Sequence, residues 1–213
     1  MRSWNRFFCV MLLASVAAAG ARAAPAAGGA TAPAPMSMMV AKPLVQGTQV
    51  GKQMFEPGDT GRGGQGQTVD GISAAGMEAL VFHIHAHLSL FYRGEQVAVP
   101  AGIGIVAPGA MQAGFVGGGR AFYWMHTHDA TGIIHVESPV DRRFTLGQFF
   151  DIWGEPLEED DVAGLKGRVR AFVDGVPYKG DPRAIELRPH AQITLEVGSP
   201  LMTPPAYAFP GGL

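Results

Sequence analysis

Cysteine is almost missing from this chain: Cys9 is the single one among 213 residues. A disulfide framework is therefore excluded, and so is a metal site built from several thiolates. Charge is sparse as well, with 16% of residues charged and a formal net charge of -2, so no electrostatic argument favours a nucleic acid. No apolar run is long enough to span a bilayer. The chain has no internal repeat of fixed period, no H-E-x-x-H helix, no nucleophile elbow and no phosphate-cradling glycine loop. Hydrophobic residues make up 47%, which supplies a core and argues against disorder of the whole chain.

The N-terminus reads as a targeting segment. Arg2 and Arg6 precede the short apolar run "CVMLLASVAAAG", and "ARA" ends at Ala23 with small residues where a signal peptidase cuts. Residues 1–23 are thus expected to be a signal peptide, and the protein to be periplasmic or secreted. A cut there removes Arg2, Arg6 and Arg22, leaving 13 basic side chains against 18 acidic ones, and it removes Cys9. Metal chemistry in the remainder must then use histidine, methionine or carboxylate. No small-residue box precedes Cys9, which speaks against a lipoprotein.

Residues 24–66 are expected to be a flexible linker, opening with "APAAGGATAPAP" and closing on "GDTGRGGQG". Within it, "MSMM" at 36–39 offers thioethers of the kind that bind Cu(I), or simply an apolar linker edge. A single domain is expected over 67–200, with a tail at 201–213. Strand signals lie at 80–92 and 96–106, joined by a hairpin-like "RGE", and at 122–128 and 133–138, joined by "DATG". A glycine-rich loop at 114–119 either borders a pocket or merely connects. "TLGQFFDIWG" predicts a short helix: Thr145 with Gln148 forms a capping box and Gly154 supplies the stop. Leu146, Phe149, Phe150 and Trp153 fall on one helical face. "EEDD" at 158–161 predicts a solvated turn. Two later strands, "RVRAFVDG" and "AQITLEVG", follow, with Asp174-Gly175 as a turn. The order predicts an α+β fold, a mainly antiparallel sheet with one short helix packed on it. A β-grasp-like arrangement, a small β-barrel and a sandwich are the specific forms that fit.

Six of the 7 histidines fall between residues 83 and 135. In "HIHAHLSLFYRG", His83, His85 and His87 alternate with Ile84, Ala86 and Leu88, so a strand would place the imidazoles on one face and the apolar residues on the other. If "DATG" turns an even-length hairpin, His126 faces His135, His128 faces Ile133 and Trp124 faces Glu137. His126, His128, His135 and Glu137 then share a face, opposite Met125, Thr127, Ile134 and Val136. Neutral imidazoles so gathered are ligands for a divalent transition metal, copper or zinc above all. Residues four apart on a strand lie about 13 Å apart, so His83 and His87 cannot easily grip one ion. The expected site takes two of the first trio with His126 and His135, with or without His128, and leaves one histidine over to serve a second ion or to orient a ligand. Glu137 and Asp129 are the candidate catalytic carboxylates; Asp129 has turn capping as its alternative role. Glu78 is near enough to approach. His190 reads as a surface residue.

Together "FHIHAHL", "HTHDATGIIHVESP" and "FTLGQFFDIWGEPL" resemble a family of secreted bacterial proteins of unknown function, over about residues 70–198. The resemblance implies export and carries no activity. The copper-zinc superoxide dismutases share H-x-H on β structure, but their disulfide has no counterpart here. The sequence leaves three classes open: an exported metal-binding protein, a histidine-ligated metalloenzyme (a hydrolase, hydratase or copper oxidoreductase), and an interaction domain whose histidines sense pH. The ion is the expected partner, with no nucleic acid and no membrane span after signal cleavage.

Overall fold

A computed structural model describes residues 40–58 and 62–213. The expected signal peptide, Cys9, the 24–35 segment and the methionines at 36–39 lie outside the described residues. The main sheet is built from β1 (Phe82–Tyr92), β2 (Glu95–Val97), β3 (Met125–His126), β4 (Ile133–Ser138), β5 (Val169–Val173), β6 (Val176–Tyr178) and β7 (Gln192–Val197), and α1 (Leu146–Trp153) follows β4 in the chain. The strand order is β6-β5-β7-β1-β4-β3, with β2 pairing the end of β1 beyond β4. The β7–β1 pair is parallel and every other pair in this sheet is antiparallel. The fold is therefore α+β and mainly antiparallel, and the sheet does not close into a barrel. Among the described residues no helix is long and apolar enough to cross a membrane.

Alternation along β1 sorts its side chains. Ala86, Leu88 and Leu90 are buried in the main core with Ile134 and Val136 of β4 and Ile193 and Leu195 of β7. The helix closes that face with Leu146, Phe149, Phe150, Ile152 and Trp153, all in the same core. Its ends are set as expected. Thr145 Oγ1 accepts from Gln148 N at 3.4 Å, Gln148 Oε1 accepts from Thr145 N at 3.1 Å, and Gly154 ends the helix at φ 81°. Burying large side chains such as Phe150 and Trp153 contributes about 1.5–3 kcal/mol each.

The opposite face of the sheet carries the histidines, and loops cover it. One small apolar cluster, Ala101, Ile105, Val116 and Phe122, lies over one part. Another joins Leu44, Ile133 and Tyr207. Gln192 of β7, which pairs with His87, exchanges hydrogen bonds with the backbone of Tyr207, and Gln96 donates to the Tyr207 hydroxyl.

Several boundaries differ from the sequence expectation. The strand expected over 96–106 stops at Val97 and resumes only at Ile105–Val106, in a separate small sheet with Ala74–Ala75 and Ala121–Tyr123. Pro100, together with Gly102 and Gly104 at φ 83° and 72°, breaks the extended path. The 122–128 strand splits at Trp124, its halves entering different sheets. Asp161 of the expected solvated turn is 5% exposed and pairs with Lys166 at 2.6 Å. The domain also extends past the expected 67–200. Lys42–Pro43 pairs in parallel with Tyr207–Ala208, and Leu44 and Tyr207 are buried. Leu44, Val50, Tyr207 and Phe209 therefore form part of the cover over the histidine face, while Phe55 packs on Trp153 against the main core.

Candidate metal centre

The ladder delivers the histidines in the register that an even hairpin demands. Met125 pairs with Val136 and His126 with His135, while His85 of β1 pairs with His135 and His83 with Glu137. The turn closes on Gly132 at φ 88°, where a Cβ would fall 2.4 Å from Leu88 O and 3.1 Å from His87 Nε2. The β3 ladder ends at the His126–His135 pair, and the expected His128–Ile133 pairing is not made. Thr127 turns its backbone toward Gly102 and Ile103 instead, with bonds of 2.8 and 3.0 Å. His128 still swings back beside His126.

Three overlapping donor groups result. His83, His85, His135 and Glu137 form one, His126, His128 and His135 a second, and Glu78, His126 and Glu137 a third; within each, the donor atoms all lie within 4.8 Å of one another. These groups could hold a metal ion. The Nε2 atoms of His83 and His85 are 3.1 Å apart, and so are those of His126 and His128. Two nitrogens each about 2.0–2.1 Å from one ion stand roughly 2.9–3.4 Å apart at ordinary coordination angles. Glu137 Oε1 lies 3.2 Å from His83 Nε2 and 3.7 Å from His135 Nδ1. Its other oxygen, Oε2, is buried and lacks a hydrogen-bond partner.

The second group is fixed from behind. His126 Nδ1 donates to Tyr123 O at 2.9 Å and His128 Nδ1 donates to Val116 O at 2.7 Å. A carbonyl can only accept, so both protons sit on Nδ1 and both Nε2 atoms carry lone pairs when the rings are neutral. Those lone pairs face each other. Glu78 Oε1, a third acceptor, lies 3.5 Å from His128 Nε2 and 3.8 Å from His126 Nε2. A backbone carbonyl behind each ring is the usual way a protein orients a metal-binding imidazole. Phe115 stacks on His128 at 4.6 Å and 13°. The glycine-rich loop at 114–119 thus supports the site through Phe115 and Val116, a role with no motif to announce it.

Burial keeps His85, His126 and His135 neutral. Desolvation first, then the neighbouring imidazoles, lowers His126 and His135 to about 3 and His85 to about 4. Glu78 is pushed up from the usual carboxylate range, by burial and then by the charge of Glu137. Access is one-sided: the His83 and Glu78 side chains are 38% and 35% exposed, whereas His126 is fully buried.

Two expected site residues are not brought into these groups. His87 shares the face but lies further along β1. Its Nε2 donates to Thr131 O at 2.9 Å, and its ring packs on Tyr207 and Phe209. Asp129 caps the hairpin turn. Its Oδ1 accepts from the backbone N–H and hydroxyl of Thr131, and its Oδ2 accepts from Gly47 N at 2.8 Å. Both oxygens are thus engaged in the turn-capping role. His190 is exposed and stacks on Phe209. No protein-family model, curated protein or solved structure matches the chain, so its chemistry rests on this geometry.

Proposed function

We propose that this is an exported protein that binds a transition metal, Cu(II) or Zn(II), through histidines of β1, β3 and β4. One observation carries the reading. Two buried imidazoles, His126 and His128, are locked by carbonyls into the tautomer that aims two lone pairs at each other across 3.1 Å. With neutral rings that contact is repulsive, and a cation between the nitrogens makes it attractive. Histidine and carboxylate donors without thiolate suit Cu(II) and Zn(II) better than Cu(I). The basic, then apolar, then small-residue order of 1–23 supports export. The test is metal content after purification from the native compartment. The protein should carry stoichiometric metal, and the joint His85→Ala, His126→Ala, His135→Ala variant should lose it; retention in that variant would refute the site.

A metalloenzyme is the second reading, favoured by the one-sided exposure at His83 and Glu78. An ion reached from that side keeps a position for water or substrate, and Glu137, with one oxygen uncommitted, is the general base within reach.

A further inference from the structure

The donor set is too large for one ion. His83, His85, His126, His128, His135, Glu78 and Glu137 all belong to the groups described above, whereas a tetrahedral centre takes four ligands. The surplus has a pattern. Two His-x-His pairs each present Nε2 atoms 3.1 Å apart. Each pair has its own carboxylate, Glu137 at 3.2 Å from His83 and Glu78 at 3.5 Å from His128. His135 stands in both groups, its ring 4.7 Å from the rings of His85 and of His128. A single ion placed at the first pair leaves the carbonyl-locked lone pairs of His126 and His128 facing each other with nothing between them, and one placed at the second leaves His83 and His85 to share a proton across 3.1 Å.

We infer that the site is a two-cation centre: one divalent transition-metal ion on His83, His85 and Glu137, a second on His126, His128 and Glu78, with His135 linking the two as an imidazolate whose ring proton passes to solvent on loading. This rests on the metal-binding reading and deepens it. The two positions are unequal. The first has a half-exposed imidazole, His83, while the second is reached past Glu78 and has both imidazoles enclosed, His126 fully buried and His128 stacked on Phe115. The inner position has its rings pre-oriented by Tyr123 O and Val116 O and fills first. The outer one fills last and exchanges fastest.

The experiment is zinc loading of the metal-stripped full chain, followed by calorimetry and by elemental analysis after desalting. Two equivalents per chain are expected, in two steps. His126→Gln with His128→Gln should abolish the tight step and keep one weak equivalent. His83→Gln with His85→Gln should keep the tight step alone. Saturation of the unaltered chain at one equivalent, or loss of the same single ion in both double variants, would overturn the two-cation centre while leaving metal binding standing. No retained zinc at all would overturn the metal-binding reading itself. If circular dichroism shows a double variant to be unfolded, the unaltered chain decides. Loaded with two equivalents of Cu(II), it should show fewer integrated electron spins than copper atoms, and two full, independent signals would overturn the linked arrangement.

Discussion

Lowering the pH from 7.5 to 5 should destabilise the metal-free protein through its buried histidines. In the unfolded chain each imidazole gains a proton near its ordinary value of about 6.5. In the folded chain His85 and His87 resist until about 4, and His126 and His135 until about 3, burial being the first cause for all four. Their folded values are depressed, so between about 6.5 and those values the unfolded state binds more protons and stability falls with falling pH. At pH 5 that linkage amounts to about 2 kcal/mol for one such histidine. The four do not sum, because the shifts of His85, His126 and His135 include repulsion from neighbouring imidazoles. A total loss on the order of 4 kcal/mol is expected, a large part of the 5–15 kcal/mol that stabilises an ordinary domain. Urea denaturation of metal-free protein at pH 7.5 and pH 5.0 measures it. Coincident curves would refute the claim that these rings are held neutral by burial.

Asp129→Ala should cost about 2–3 kcal/mol, because it leaves the backbone N–H groups of Gly47 and Thr131 without their acceptor; limited proteolysis should then cut within residues 40–58, which the aspartate ties to the hairpin. Gly104→Val should damage fold and site together: a Cβ there would lie 2.3 Å from Met125 O and 3.1 Å from His126 Cβ, at φ 72°. A lower melting temperature by several degrees, with weaker zinc affinity, is the expected pair of results.

Much of this architecture was legible because two local signals are strong. Alternation from His83 to Leu90 assigns each side chain of β1 to a face, and the even "DATG" turn sets His126 against His135. The capping box at Thr145 and the Asp174-Gly175 turn are equally local, and the latter's φ angles of 51° and 74° suit the two-residue connection between Val173 and Val176. What escaped notice is made of long-range contacts that leave no periodic trace. His87 has the same alternation as His83 and His85. It differs only because Tyr207 and Phe209, more than a hundred residues later, pack on its ring. Likewise the pairing of Lys42–Pro43 with Tyr207–Ala208 spans two residues on each side, too short for a pattern, and the carbonyls of Tyr123 and Val116 that orient His126 and His128 have no side-chain signature. The break of 96–106 was visible in principle, since Pro100, Gly102 and Gly104 lie inside the apolar run.

The most direct test of the metal centre is X-ray absorption at the zinc edge of the loaded protein. The account predicts a shell of nitrogen and oxygen at about 2.0–2.1 Å, with the outer-shell scattering of at least two imidazole rings per ion. A shell of oxygen alone, without imidazole scattering, would contradict it.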